Sequence, residues 1–355
     1  MSNFLPSVQS LAKGAAATAA GLSTVGFGLL YYGQNYLIYP SAFPPGSRTD
    51  VPTPDQFGLA YDALELAAED GTRLRCYLLV QTRELPQAGA VRVSGGEGLS
   101  DDEFAASRPT VVMFHGNGGN LGHRVPLARV FYLKMRCNVL MMCYRGYGLS
   151  EGSPSERGIK MDAQAGLDYI LSHPALSKTP IILYGQSIGG AVSIDLASRN
   201  PLAIRALILE NTFLSLPRLV PSALPVLGPF AFLCHQKWDS AAKVPLLPRR
   251  VPALLLSGAQ DEVVPAAHMR GLWELLRRRE GAPDAREPPP AGLVVPAGVP
   301  APPAPAGSLS RFVEFEEGTH NDTCVQPGYW AAVAEFVQAL EAEDARAAVE
   351  GESRL

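Results

Sequence analysis

The sequence predicts an α/β fold with a mostly parallel central sheet, helices on both faces and a short apolar lid insertion. Short, nearly continuous apolar runs alternate with helical patterns along the chain, and this alternation is typical of a parallel sheet covered on both sides. A serine between glycines stands where one apolar run becomes a helix. An apolar, proline-rich segment interrupts the alternation after a later run, as expected of a lid over a cleft.

The periodicity of apolar residues predicts the elements in order. A hairpin is expected at Leu64–Leu79, turning at Asp70-Gly71, and the polar stretch Glu84–Pro109 is expected to be a loop. Strands are predicted at Val111–Phe114, Val139–Cys143, Ile181–Tyr184, Ala206–Leu209, Ala253–Leu256 and Phe312–Phe315. Helices are predicted at Gly158–Leu171, Ile188–Ser198, His268–Arg279 and Tyr329–Leu340.

A single folded domain is expected at residues 61–345, since α/β enzymes of this size often form one domain. It carries the lid at residues 211–245 and a second insertion at residues 281–308. Pro, Ala and Gly make up 20 of the 28 residues of the second insertion, and because such a composition cannot bury a core, we expect a disordered loop. The membrane-anchor segment with its flank, the linker and the tail are predicted at residues 1–40, 41–60 and 346–355.

The overall composition argues against several classes of function. The net charge of −4 gives no basic surface for nucleic acid. The five cysteines are irregularly spaced and form no C-x-x-C motif, which fits a reduced compartment better than a disulfide framework. No Cys and His residues sit at metal-ligand spacing. We therefore expect neither a metal nor a cofactor.

The amino-terminal segment is long and nearly uncharged. Between Leu11 and Tyr39 the only formal charge is Lys13, and tyrosines cluster at the end of the segment, where an interfacial aromatic belt would lie. A spanning helix needs roughly 20 apolar residues, which this segment just reaches. We predict a single-pass anchor in an endomembrane or the plasma membrane. A cleaved signal peptide and a buried helix are the alternatives.

The stretch Gly185-Gln186-Ser187-Ile188-Gly189 matches the G-x-S-x-G pattern. In that pattern a sharp strand-to-helix turn exposes the serine hydroxyl at the carboxyl edge of a sheet. The amino end of the following helix favours developing negative charge. Because a strand is predicted before Ser187 and a helix after it, we interpret Ser187 as a nucleophile rather than a turn residue.

A serine nucleophile needs a base, and the base in turn needs an orienting acid. His320 directly follows the last predicted strand, at the same edge as Ser187, and is the predicted base. Asp261 follows the preceding predicted strand and is the predicted acid, because Ser, Asp and His then stand in the chain order of this architecture. Glu262 and Glu210 are the alternative acids.

The tetrahedral intermediate of such a reaction needs backbone donors. One is predicted at the amide of Ile188, directly after the serine. The other is predicted at the amide of Asn117, in the glycine-containing loop His115–Asn120, where His115 would support the loop. A phosphate-binding loop is the alternative, but no G-K-[ST] follows and the G-x-G-x-x-G spacing is absent.

Four motifs in this order resemble the α/β-hydrolase superfamily, and more narrowly its bud-emergence-type subfamily. They are His115–Gly118, Tyr144–Gly148, Gly185–Gly190 and Gly318–Thr323. The resemblance covers roughly Tyr61–Leu340 together with the amino-terminal apolar segment. It implies the α/β-hydrolase fold, a triad of Ser187, Asp261 and His320, attachment to a membrane, and kinship with enzymes that remove palmitate from proteins.

The sequence as a whole predicts a membrane-associated serine hydrolase that cleaves an acyl ester or thioester, with a lipidated protein as one possible substrate. A serine peptidase and a non-catalytic polarity or scaffold protein on the same fold are the alternatives.

The only N-x-[ST] sequon, at Asn321, abuts His320. A glycan there would obstruct the site, so we expect the catalytic domain to face the cytosol.

Overall fold

Strands and helices alternate along the residues that the computed structural model describes, which are 8–85, 98–281 and 307–352. The strands are β1 (Asp62–Ala67), β2 (Arg73–Leu79), β3 (Thr110–Phe114), β4 (Asn138–Met142), β5 (Ile181–Gln186), β6 (Ile204–Glu210), β7 (Ala253–Gly258) and β8 (Arg311–Phe315). The helices are α1 (Val8–Tyr32), α2 (Gln34–Ile38), α3 (Asp101–Ala106), α4 (Val125–Lys134), α5 (Glu156–Ser172), α6 (Ile188–Arg199), α7 (Leu216–Ala223), α8 (Ser240–Lys243), α9 (Ala266–Gly281) and α10 (Tyr329–Glu352). The predicted disordered loop, residues 281–308, lies outside the described residues except at its two ends.

The eight strands form one sheet in the order β1-β2-β4-β3-β5-β6-β7-β8. The β1–β2 hairpin is antiparallel and β2 pairs antiparallel with β4, whereas every pairing from β4 to β8 is parallel. The predicted hairpin and the mostly parallel sheet are confirmed. Because parallel strands share a direction, the carboxyl ends of β3 and of β5 to β8 meet at one edge.

Burial follows from the position of each strand in the sheet. Every residue of β3, β4, β5 and β7 is buried, as expected of strands covered on both faces. Phe131 of α4 and Trp330 of α10 meet edge to face with ring centroids 5.5 Å apart, so these two helices share one face. The helices α5 and α6 pack against each other and are joined by the Gln164–Asn200 hydrogen bond of 2.9 Å.

Two segments outside the sheet differ from simple loops. Within the predicted loop Glu84–Pro109 the helix α3 forms, so the loop prediction is wrong there. Ser100 and Glu103 cap this helix reciprocally, and Phe104 is buried. In the lid, α7 is followed by a 3₁₀ helix at Pro225–Leu233.

The helix α1 is the part of the described chain that could cross a membrane. Its residues Ala12–Tyr32 are long and apolar enough to do so, and none of the apolar stretch is buried within the protein. Roughly 20 residues suffice to cross the hydrocarbon core of a bilayer. Gly33 separates α1 from the short helix α2.

The close packing of α6 against the sheet generates a testable prediction. A β-carbon at Gly189 would overlap the carbonyl group of Phe114 in β3, and backbone cannot move aside as a flexible side chain can. We expect Gly189→Ala to lower the free energy of unfolding by about 2 kcal/mol or more, measured by urea titration of the detergent-solubilised protein. Gly281→Ala is the control, because nothing lies within 4 Å of a β-carbon there. An equal effect of both changes would contradict the packing argument.

Candidate active site

Ser187 occupies a strained turn between β5 and α6. Its backbone has φ 54° and ψ −120°, a conformation that costs a non-glycine residue free energy and persists only where its surroundings enforce it. The Ser187 amide donates to the Glu210 carbonyl at 2.8 Å. A β-carbon at Gly185 would overlap the carbonyl of Gly189, so glycine is required where strand and helix approach each other.

Three side chains predicted from the sequence form a hydrogen-bonded series with His320 in the middle. The Ser187 Oγ lies 3.1 Å from His320 Nε2, and His320 Nδ1 lies 2.8 Å from Asp261 Oδ2. The other carboxylate oxygen of Asp261 accepts the amide protons of Val263 and Val264, at 2.9 Å and 2.7 Å. Asp261 is therefore fixed by its own turn, and it can hold the imidazole with Nε2 facing the serine.

The topology brings these distant residues together. Ser187 follows β5, Asp261 lies in the turn after β7, and His320 lies in the loop after β8. All three strands run in parallel, so all three turns lie at the carboxyl edge of the sheet. Each of the three residues is more than nine-tenths buried. The alternative acid Glu262 contacts His320 only through the His320 amide, which donates to the Glu262 Oε2 at 3.3 Å.

Glu210, the other alternative acid, lies under the serine turn in a buried polar cluster. Its carboxylate accepts the hydroxyl protons of Tyr184 and Tyr329, both at 2.6 Å. Gln186 Nε2 donates to it at 3.1 Å. Burial raises the pKa of Glu210. The backbone carbonyl of Glu210 also accepts the Ser187 amide. Glu210 therefore supports the serine turn and does not orient His320.

Asn211 is a supporting residue that the sequence analysis missed. Its side-chain amide donates to the carbonyls of Thr319 and His320, at 3.1 Å and 3.3 Å, and its Oδ1 accepts the Gly258 amide at 2.8 Å. One side chain thereby connects the ends of β6 and β7 to the histidine loop. The available signal was its position, a polar residue directly after a buried strand at the edge that carries the site.

The loop His115–Asn120 lies beside the serine turn, as its predicted role requires. Phe114 and Gly185 are partners in the β3–β5 register. A β-carbon at Gly116 would lie 3.7 Å from the Gln186 carbonyl oxygen. Ile188 is the first residue of α6, so its amide has no acceptor within the helix. The loop with Asn117 and the Ile188 amide therefore flank Ser187.

His115 is buried beneath this loop. Its Nδ1 lies 2.7 Å from the Gly116 carbonyl oxygen, and Tyr144 donates its hydroxyl proton to the His115 carbonyl at 2.9 Å. Burial lowers the pKa of His115 to about 3, which keeps the ring neutral near pH 7. These contacts fit the predicted supporting role.

The segment from Ile38, the last residue of α2, to Asp50 forms hydrogen bonds with the same loop from outside. Asn117 Nδ2 donates to the Ile38 carbonyl, and the Gly119 amide donates to the Phe43 carbonyl at 2.9 Å. Asn120 Nδ2 donates to the carbonyls of Ser47 and Asp50, at 3.0 Å and 2.9 Å. Residues 41–60, predicted as a linker, therefore include backbone that packs on the candidate site.

The comparisons with known proteins agree with this architecture. Residues 109–230 match the family model described as the alpha/beta hydrolase fold. The alpha-beta hydrolase of Vibrio vulnificus superposes with a TM-score of 0.59 at 18% identity, covering 87% of this chain and 93% of that one. The esterase Pf2001 of Pyrococcus furiosus superposes with a TM-score of 0.55 at 18% identity, covering 81% and 93%. At such identities the likeness shows the fold.

Three relatives by sequence each match about nine-tenths of the chain. Protein bem46 of Schizosaccharomyces pombe is 39% identical over 326 residues, which are 92% of this chain and 92% of bem46. The uncharacterized membrane protein YNL320W of Saccharomyces cerevisiae is 33% identical, over 89% of this chain and 93% of its own. The Arabidopsis thaliana alpha/beta hydrolase domain-containing protein WAV2 is 32% identical, over 90% and 92%. The chain therefore belongs to the bem46-like family of α/β-hydrolase-fold proteins.

Proposed function

We propose that the protein is a membrane-associated serine hydrolase that cleaves carboxylic esters or thioesters through an acyl-enzyme. The observation that carries the proposal is the relay from Ser187 Oγ to His320 Nε2, at 3.1 Å, and from His320 Nδ1 to Asp261 Oδ2, at 2.8 Å. A serine hydroxyl is a weak nucleophile until an adjacent base accepts its proton. In the proposed mechanism His320 is that base and Asp261 is the group that orients it.

In the proposed reaction His320 Nε2 takes the Ser187 hydroxyl proton as Oγ attacks the substrate carbonyl carbon. The carbonyl oxygen becomes an oxyanion, which the amides of Asn117 and Ile188 would stabilise. The imidazolium then protonates the departing alkoxide or thiolate, and the acyl group remains on Oγ. Water, deprotonated by the same nitrogen, attacks the acyl-enzyme and releases the carboxylic acid and the free serine.

The lid favours an apolar acyl group. It begins directly after β6, at the edge that carries Ser187, and its first residues Phe213, Leu214 and Leu216 are buried. The Leu214 amide donates to His268 Nδ1 at 3.3 Å, which ties the lid to α9. An apolar lid that begins at the edge carrying Ser187 suits a fatty acyl chain, and we propose acylated protein, including palmitoyl-protein, as a substrate class within the esters and thioesters.

The proposed location follows from α1 and from the sequon. We propose that α1 is a single-pass anchor and that the catalytic domain faces the cytosol. Asn321 is exposed and adjoins His320, so a glycan on Asn321 would stand at the mouth of the site. A glycosidase-sensitive mass on the purified protein would rule this orientation out.

The nucleophile can be tested by covalent labelling. We expect a fluorophosphonate probe to label the full-length protein at neutral pH and to label Ser187→Ala not at all, because the probe reacts with an activated serine hydroxyl. Ser198→Ala is the matched control on α6: its hydroxyl bonds only the Asp195 carbonyl, at 2.7 Å, and labelling should persist. An unlabelled wild-type protein would favour a scaffold role on this fold.

The role of Asp261 can be separated from that of its neighbour. Asp261→Asn leaves the two amide contacts possible but places an NH₂ group or a neutral oxygen opposite His320 Nδ1. We expect kcat to fall roughly 10³- to 10⁴-fold with a much smaller change in KM. Glu262→Gln should change kcat less than about tenfold, because Glu262 hydrogen-bonds to the backbone amide of His320 and not to its ring. The reverse order of the two effects would assign the acid to Glu262.

The leaving group and acyl length can be tested with matched substrates. We expect the protein to hydrolyse p-nitrophenyl esters and acyl thioesters, with kcat/KM rising as the acyl chain lengthens, because each buried CH₂ contributes about 0.8 kcal/mol. Peptide p-nitroanilides, in which an amide bond replaces the ester bond, are the comparison substrates. Faster cleavage of the anilides than of the esters would identify a peptidase instead.

A further inference from the structure

The 3₁₀ helix Pro225–Leu233, here called the lid tip, is apolar and faces outward. It contains no charged residue, and none of its residues is buried. Val226 is 86% exposed and Phe232 is 76% exposed. Large apolar side chains gathered at one exposed place mark an interaction surface on a soluble domain.

The lid tip lies against the end of α1. The rings of Phe27 and Phe230 meet edge to face with centroids 5.7 Å apart. Gln34 Nε2 donates to the Leu233 carbonyl at 2.9 Å, and Gln34 Oε1 accepts the His235 amide at 2.8 Å. The candidate membrane span and the lid tip are therefore joined, and both carry exposed apolar side chains, such as Leu29 and Phe232.

The distance of the Phe27–Phe230 contact from the end of α1 is similar to the depth at which interfacial helices lie in a membrane. Phe27 lies five residues before the end of α1 at Tyr32, which is about 7.5 Å along the axis at about 1.5 Å per residue. Interfacial helices bury their apolar faces roughly 5–10 Å into the boundary between headgroups and acyl chains. With α1 in a bilayer, Phe230 would thus lie at the depth that an interfacial segment occupies.

The charges near the lid tip fit the same occupant. In the sequence the nearest charged residues on its two sides are Arg218 and Lys237, and both are exposed. Long cationic side chains that flank an apolar segment can extend to lipid headgroups while the segment enters the acyl region. Tyr32 and Tyr36, 82% and 88% exposed, add aromatic groups suited to the same level.

We propose that the lid tip inserts into the bilayer beside α1, so that the lid is a second membrane contact of the protein. Asn211, the first residue of the lid, donates from its side chain to the His320 carbonyl. Insertion would hold the candidate site at the bilayer surface, where an acyl chain can pass from lipid to Ser187. The insertion itself does not depend on catalysis; only this consequence rests on the proposed function.

Site-specific fluorescence tests the insertion directly. The full-length protein carrying Cys234→Ser is given one new cysteine, Phe232→Cys or the control Leu202→Cys, labelled with an environment-sensitive dye and reconstituted into phosphatidylcholine vesicles. Leu202 is 85% exposed and lies between α6 and β6, at the opposite edge of the sheet. The four other cysteines are buried.

We expect dye at position 232 to shift to the blue and to be quenched several-fold more by shallow nitroxide lipids than dye at position 202. Iodide in the buffer should show the reverse order. Equal lipid quenching at both positions would overturn the proposal. So would a dye at position 232 that is shielded from iodide but not quenched by lipid, since a protein partner or second copy would then cover the lid tip.

Activity supplies a second, separable readout. In the double variant Val226→Glu/Phe232→Glu we expect hydrolysis of a long-chain ester held in vesicles to fall at least fivefold, with fluorophosphonate labelling and soluble short-chain ester hydrolysis unchanged. Leu202→Glu is the control and should change neither. If the hydrolase proposal were wrong, labelling would be absent from every variant, while lipid quenching at position 232 would still report insertion.

Discussion

The close approach of α6 to the sheet is the constraint on which the rest of the structure depends. Glycine at 185 and 189 lets the helix backbone touch β3 and β5, and this contact holds Ser187 at φ 54°. Such a backbone is unfavourable for an isolated serine, so the packing of the whole sheet supports it. The hydroxyl lies at the carboxyl edge of the sheet because the turn directly follows the carboxyl end of β5.

Buried polar groups lie below and beside this turn, and their hydrogen bonds hold it in place. Below it, Glu210 joins Gln186 to two buried tyrosines. Beside it, Asn211 holds the loop that carries His320. Buried polar groups cost free energy when they lack partners, and here the partners come from β5, β6, α10 and the loop after β8. The same bonds that satisfy these groups therefore fix the relative positions of the strand ends.

The amino-terminal segment is continuous with this edge rather than separate from it. The backbone from Ile38 to Asp50 accepts hydrogen bonds from the side chains or amides of Asn117, Gly119 and Asn120. Tyr39 is buried, and its hydroxyl group both accepts a bond from Trp238 and donates one to Gln236. The helix α1, the loop beside the serine and the lid thus form one connected structure. Movement of one of them would be transmitted to the others through directional bonds.

The sequence by itself determined the parallel sheet, the serine turn and the order of the three candidate residues. These features rest on local patterns: continuous apolar runs, glycines around Ser187, and polar residues directly after strands. The sequence favoured Asp261 over Glu262 and Glu210 by chain order, whereas the contacts of Asp261 and Glu262 with His320 are visible only in the tertiary structure. The short helix α3 was missed although its Ser100–Glu103 capping box was readable.

Only the tertiary structure decided what the segment after α2 and the residue Asn211 contact. The hydrogen-bonded residues Asn211 and Gly258 lie 47 positions apart in the chain, and Asn120 and Asp50 lie 70 positions apart; no local periodicity encodes such pairs. The lid tip is a similar case. Its apolar composition is visible in the sequence, but its position against Phe27 and Gln34 follows from the fold. Local patterns specify elements, whereas contacts between distant segments depend on how the packed core orients them.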